Sequence, residues 1–205
     1  MSGPFVKNSW ICCVAISALA LTLALPGELA AKKKKPRPPE ELTNFLLGPD
    51  YARWLVGPIS HIASDSEIDS YLRLDSDQAA AEFIEAFWAD RRSSYVVWPA
   101  PQPHGVFETR AREADTLYTE WSLTGRRSDR GTIYILYGEP AEVRYEVAAR
   151  PGLGPIEVWV YPKDAERGLD GDVPKRYYYF VKKGEYTVTS PNPPRQRLRP
   201  RTGGR

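Results

Sequence analysis

Apolar residues recur at helical spacing through the first half of the chain and in two-residue alternation through the second. Between residues 42 and 125, Tyr51, Trp54, Leu55 and Ile59 fall at helical spacing, and Gly57-Pro58 marks a break or kink among them. Ser64, with Glu67 three residues later, has the form of a capping box opening a short helix with Ile68, Tyr71 and Leu72 on one face. Asp75-Ser76-Asp77 precedes a longer helix whose stripe is Ala80, Phe83, Ile84, Phe87 and Trp88. Pro99, Pro101 and Pro103 interrupt the pattern. A further stripe of Phe107, Ala111, Ala114, Leu117, Tyr118 and Trp121 then predicts another helix.

From residue 130 onward the period changes. Ile133 to Tyr137 is an unbroken β-branched and aromatic run between Gly131 and Gly138, apolar on both alternating sets, and it predicts a central strand. Asp129 is placed to accept backbone N–H groups in the turn before it. Further strands are expected over Glu142–Val147, Ile156–Tyr161, Arg176–Val181 and Glu185–Thr189, with Lys183-Gly184 turning the last two into a hairpin and residues 163–175 forming a polar loop. Helices first and strands second predict an α+β fold, with N-terminal helices packed on a C-terminal antiparallel meander of about four or five strands. In that meander Ile156, Val158 and Val160 are expected to face the helices, leaving Glu157, Trp159 and Tyr161 on the other side. Tyr177 and Tyr179 share one face, Tyr178 and Phe180 the other.

The stretch from Gly125 to Pro140 resembles the signature of the GWxTD domain family, a bacterial family of unknown function usually found behind export signals. The family pattern reads Gly-Trp-x-Thr-Asp, then Arg-Gly, then a strand ending in Tyr-Gly-x-Pro. This chain keeps Gly125, Asp129, Arg130, Gly131, Tyr137, Gly138 and Pro140. It carries Arg126 at the Trp position, losing a large apolar anchor, and Ser128 at the Thr position, keeping the hydroxyl. Upstream, Phe83 to Arg92 is similar to the family's helix ending in Phe-Trp and an Arg-rich turn, while Ser93 to Gly105 replaces the segment that usually follows. The resemblance spans roughly residues 50–190 and implies a domain without implying an activity.

At 205 residues the chain has room for one ordinary domain with tails, and its formal charge of +2 is too small to point to nucleic acid. Both cysteines, Cys12 and Cys13, lie in the N-terminal apolar stretch, so the body has no disulfide, thiol nucleophile or cysteine metal site. His61 and His104 lack a partner at ligand spacing, and neither Gly-x-Ser-x-Gly nor a glycine-rich phosphate loop occurs. No metal, cofactor or catalytic set is therefore predicted. Lys7, the apolar Trp10–Leu25, the Pro26-Gly27 break and Leu29-Ala30-Ala31 read together as a signal peptide over residues 1–31, which places the protein in the periplasm or outside the cell. The alternative is an uncleaved anchor over residues 10–25, because Lys32 to Lys35 follow at once. Residues 32–41 form a basic, Pro-rich linker, residues 42–190 the domain, and residues 191–205 a basic tail expected to be disordered.

Four groups of residues are candidates for function. Asp129 and Arg130 pair a carboxylate with a guanidinium, either to hold a ligand or as a capping Asp beside a salt-bridged Arg. Asp129 and Glu139, flanking the Ile133–Tyr137 run, would be the carboxylates of an enzyme. Trp159, Tyr161, Tyr177 and Tyr179 would form an aromatic row for sugar rings, an extended peptide or a partner protein, or would pair across strands to stabilise the sheet. Lys32, Lys33, Lys34 and Lys35 with Arg195, Arg197, Arg199 and Arg201 could contact an anionic surface or simply solubilise the tails. The reading that results is an exported, non-enzymatic interaction module of the cell envelope. Its expected partner is an envelope protein, with a glycan such as a peptidoglycan fragment or an anionic surface as alternatives, and no nucleic acid.

Overall fold

Capping chemistry and proline placement start the helices where local sequence demands. The structure, a computed structural model, describes residues 37–93, 102–147 and 154–191. The chain divides after Lys35, and the described residues all fall in the C-terminal unit. The predicted signal peptide, Lys32–Lys35 and the tail beyond residue 191 lie outside the described residues.

Two short helices, α1 (Pro49–Ala52) and α2 (Ile59–Ile62), lead into α3 (Asp65–Tyr71). The predicted capping box of α3 is formed: the Ser64 hydroxyl accepts from the Glu67 N–H at 3.3 Å, and the Glu67 carboxylate accepts from the Ser64 N–H at 2.7 Å. Glu67 also pairs with Arg91 at 2.9 Å, tying α3 to α4 (Asp77–Ser93). Helix α5 (Pro103–Tyr118) opens on Pro103, which has no N–H to leave unsatisfied in a first turn. Leu55, Ile59, Tyr71, Ala80, Phe87, Trp88, Phe107, Ala111 and Ala114 make the helical core. Leu117 and Trp121, expected in the α5 stripe, are exposed instead. Thr119 turns extended and ends the helix, and Trp121 sits in the next turn with φ 49°.

The Ile133–Tyr137 run is not a strand. It is the body of a nine-residue helix, α6 (Asp129–Tyr137), preceded by a 3-10 turn over Gly125–Arg127. Ser128 is its N-cap, accepting the Gly131 N–H on its hydroxyl at 3.0 Å and the Thr132 N–H on its carbonyl at 2.8 Å. Ile135 packs into the helical core while Ile133, Tyr134 and Tyr137 pack on the sheet. A helix covered on opposite sides shows the same continuous apolar run as a covered strand, so periodicity could not separate them. At its C-terminus the Arg110 guanidinium donates to the orphan carbonyls of Ile135 at 3.0 Å and Leu136 at 3.2 Å.

Four strands complete the α+β architecture: β1 (Glu142–Glu146), β2 (Ile156–Val160), β3 (Tyr177–Lys183) and β4 (Tyr186–Ser190), an antiparallel meander in chain order. The hairpin turn is Gly184-Glu185, one residue later than expected, with Gly184 at φ 63° and Lys183 opposite Tyr186. Val143 faces Trp159, Trp159 faces Tyr178 and Glu157 faces Phe180 across the ladder. The alternation is as predicted, but the facing is reversed. Trp159, Tyr161, Tyr178 and Phe180 are the residues that pack on Tyr118, Ile133, Tyr134 and Tyr137 of the helices. Ile156 and Val158, on the reverse side, are buried as well. A strand buried on both faces gives hydropathy no way to choose which face the helices take.

That assignment has a measurable consequence. Trp159→Ala should cost about 3–5 kcal/mol in urea unfolding, because it empties the contact between sheet and α5. Tyr177→Ala, on the reverse face, should cost less than about 1 kcal/mol.

Candidate functional site

The signature residues converge where α5, α6 and the sheet meet, and close packing of backbone comes first. A Cβ on Gly125 would lie 1.8 Å from the Ala114 carbonyl oxygen, and one on Gly131 would lie 1.8 Å from that of Gly125. Only glycine fits at either position. Buried Ser128 joins them, donating its hydroxyl to the Gly125 carbonyl at 2.8 Å while accepting from Gly131. Arg126, where the family pattern has Trp, turns to α5: its N–H and its Nε reach the two oxygens of Asp115 at 2.8 and 2.7 Å. A charge-assisted pair thus anchors the turn in place of an apolar ring.

Arg130 projects from the first turn of α6 between two acids. One guanidinium nitrogen meets Glu157 of β2 at 3.1 Å, and another meets Glu120, just beyond α5. Its plane stands 5.3 Å from the Tyr118 ring centroid. Its Nε is buried without a hydrogen-bond partner among the described residues. Each acid has a second donor: Trp159 Nε1 gives to Glu157 at 2.6 Å, and the Thr187 N–H gives to Glu120 at 2.6 Å. Asp129, one residue before Arg130, accepts the Thr189 N–H at 2.6 Å. With Lys183 and Tyr186 flanking a two-residue turn, Thr187 and Thr189 are the β4 residues whose N–H groups point away from β3. The signature acid and the Arg130-bound Glu120 therefore cover the outer edge of β4. Burial is the largest single influence on Glu120 and pushes its carboxyl up. The bonds from Thr187 and the charge of Arg130 together outweigh it and hold the group below 4.5.

The other end of α6 is equally committed. The Tyr137 hydroxyl donates to Asp170 at 2.6 Å, and that of Tyr161 to the Gly138 carbonyl at 2.7 Å. Burial pushes both phenols far up, and for Tyr137 the Asp170 carboxylate adds to it. The half-buried Tyr134 phenol is pushed up to about 12 by partial desolvation and by the Glu113 carboxylate it bonds at 2.8 Å. All three are hydrogen-bond donors at any physiological pH.

Among the candidates read from sequence, Asp129 and Arg130 stand together but bind backbone and carboxylates of this chain. Asp129 opens a nine-residue helix rather than preceding a strand, and Glu139 lies two residues beyond its end. The aromatic row is divided. Trp159 and Tyr161, 1% and 2% exposed, are sealed against the helices. Tyr177 and Tyr179 lie on the reverse face with ring centroids 6.3 Å apart, and the Arg176 guanidinium is 5.5 Å from the Tyr177 ring. The lysines and arginines proposed for anionic surfaces lie outside the described residues.

Two surfaces were missed by sequence reasoning. Phe45 and Leu46 are 82% and 71% exposed on a turn held by buried Asn44. Asn44 donates through its amide to the carbonyls of Tyr71 at 3.1 Å and Leu74 at 2.8 Å, and accepts the Leu46 N–H at 3.0 Å. The available signal was an Asn opening an apolar triplet that ends in Gly48-Pro49. A groove of about 310 Å³ lies between Tyr51, Ala81, Ile84, Glu85, Trp88 and His104, whose imidazole stacks on Trp88 at 4.7 Å. Among the described residues no group of His, Cys, Asp and Glu is placed to hold a metal ion.

Arg130→Met should lower stability by about 3–5 kcal/mol, since it strands two carboxylates. The pH dependence has a definite sign. Glu120 has a depressed folded-state pKa, so its stabilisation is complete above 4.5 and is lost as pH falls through the lower folded value. Glu120→Gln should flatten the loss of stability between about pH 5 and pH 2, measured by urea unfolding across that range.

The model of the GWxTD domain matches residues 49–188. No curated protein and no solved structure matches the chain. The match covers most of the chain and contains all the residues of the interlocked turn from Gly125 to Pro140, so this protein belongs to the GWxTD domain family.

Proposed function

We propose that this protein is an exported, non-enzymatic interaction module of the cell envelope, whose partner is an envelope protein docking on the turn that carries Phe45 and Leu46. The observation that carries this reading is the contrast between the two regions. The signature's Asp129 carboxylate and Arg130 guanidinium are engaged by groups of this chain. By contrast, two adjacent large apolar side chains are held out to solvent on a turn pinned by Asn44. Exposed apolar residues scattered singly are ordinary, whereas a pair on a rigid turn is preorganised to fill a pocket on a partner at little entropic cost. Export is supported by the N-terminal Lys7, the apolar Trp10–Leu25 and the small residues before Lys32. An anchor over residues 10–25 is the other outcome for the same segment. Among the described residues no helix is long and apolar enough to cross a membrane.

A second reading is favoured by Tyr177 and Tyr179. Tilted only 33° from each other on the reverse face and flanked by Arg144 and Arg176, they could stack on successive sugar rings of an envelope glycan.

The test is capture from a native envelope extract with three baits: the full chain, the chain ending at residue 190, and the full chain carrying Phe45→Asp and Leu46→Asp. The expected result is one envelope protein retained by the first two baits and lost by the third, with thermal unfolding unchanged by the substitutions. Retention by all three would move the binding surface elsewhere, and loss with the truncated bait would move it to the tail. Weakened binding to peptidoglycan fragments on Tyr177→Ala would favour the glycan reading.

A further inference from the structure

The two edges of the sheet are chemically unlike. On β4 the outward N–H groups of Thr187 and Thr189 are taken by Glu120 and Asp129. On β1 no further strand pairs with the outer edge among the described residues. There Val143, Tyr145 and Val147 are 47%, 67% and 88% exposed. An edge of β-branched and aromatic residues, without proline or lysine to blunt it, is a template for another strand.

The occupant is written in the strand itself. Residues 143–147 read Val-Arg-Tyr-Glu-Val, a sequence symmetric about Tyr145 except that the charge inverts. Consider two copies running antiparallel about a two-fold axis through Tyr145. Val143 then lies opposite Val147 of the second copy, Arg144 opposite Glu146, and Tyr145 opposite Tyr145. Each of these is a favourable cross-strand pair. Moving the axis to Arg144 sets arginine on arginine and Glu142 on Glu146, which is unfavourable at both positions. The register is thereby specified as well as the partner.

The surroundings suit the pairing. Val143 shares a face with Trp159, so the apolar row of Val143, Tyr145 and Val147 continues the face that the helices cover deeper in the sheet. Arg144 and Glu146 lie on the other face. Their side chains are 43% and 36% exposed, and within one strand they approach only to 3.5 Å. Both can turn to the opposing copy without leaving a buried charge behind.

We infer that β1 is a homotypic association strand, joining two copies edge to edge through residues 143–147 into one continuous antiparallel sheet. This pairing does not depend on what binds Phe45 and Leu46.

A charge swap tests it. The full chain, with Cys12 and Cys13 changed to Ser and purified in a mild detergent, is compared by sedimentation over a concentration series with Arg144→Glu, Glu146→Arg and the double exchange. Any association through the N-terminal apolar segment is common to all four. Each single variant should weaken self-association by at least about tenfold, because two favourable pairs become repulsive, and the double exchange should restore it. Register is read by oxidative cross-linking. Tyr145→Cys should form a disulfide dimer, since directly opposed Cα atoms lie about 4.5–5.5 Å apart. Arg144→Cys should not, because two such positions sit about 8 Å apart across the axis, beyond disulfide reach. Association unchanged by the single exchanges, failure of the double exchange to restore it, or cross-linking at Arg144 but not Tyr145 would overturn the inference.

Discussion

The contact on which the rest depends is the guanidinium of Arg130 set between Glu120 and Glu157. It joins three elements: the first turn of α6, the segment beyond α5, and the central strand β2. A lysine could not replace it, because a single ammonium on a flexible stem lacks the planar fork that reaches two separate carboxylates. Two acids against one base would leave an excess of negative charge. The indole N–H of Trp159 and the amide of Thr187 compensate, each giving a further hydrogen bond to one carboxylate. The positive end of the α6 dipole lies beside them. Such a group contributes less to net stability than to uniqueness, since removing any one member strands the others.

From that centre the sheet acquires its polarity. Glu120 and Asp129 close the β4 edge by occupying its outward amides, so β4 is a finished boundary. Among the described residues the β1 edge receives no such cover and keeps its exposed Val143 and Tyr145. Helix α6 works at both of its ends. Its N-terminus organises the clamp, and its C-terminus, where Arg110 takes the last carbonyls and Tyr137 binds Asp170, holds the 168–172 loop against the helix. In this chain the signature is therefore a joint between a helical layer and a sheet, its Asp129 and Arg130 binding groups of β4, β2 and the segment beyond α5.

Arg126 illustrates how the joint tolerates a departure from the family pattern. A tryptophan there would contribute area, whereas the arginine contributes a two-point pair with Asp115 of α5. That pair fixes the turn to α5. The two glycines on either side leave no alternative, because backbone oxygens occupy the space a Cβ would need.

Much of the fold was legible along the chain. The capping box at Ser64 and Glu67, the α4 stripe and the alternation in β2 and β3 are local signals, and local hydrogen bonding and side-chain period decide them. The family signature was legible too, since it rests on residue identity, whereas the turn expected of Asp129 is capped by Ser128, and Asp129 reaches the Thr189 N–H instead. Tertiary structure alone decided the rest. Ile133 to Tyr137 became helix because Ser128 could cap it and because α5 and the sheet bury it from opposite sides, an outcome with the same hydropathy as a covered strand. Trp159 and Tyr161 turned inward because β2 is apolar on both faces and only the facing tyrosines of α5 and α6 distinguish them. The partners of Arg130, from 10 to 27 positions away in the chain, were beyond any local pattern: sequence determines which groups must be paired, and only the folded chain brings their partners within reach.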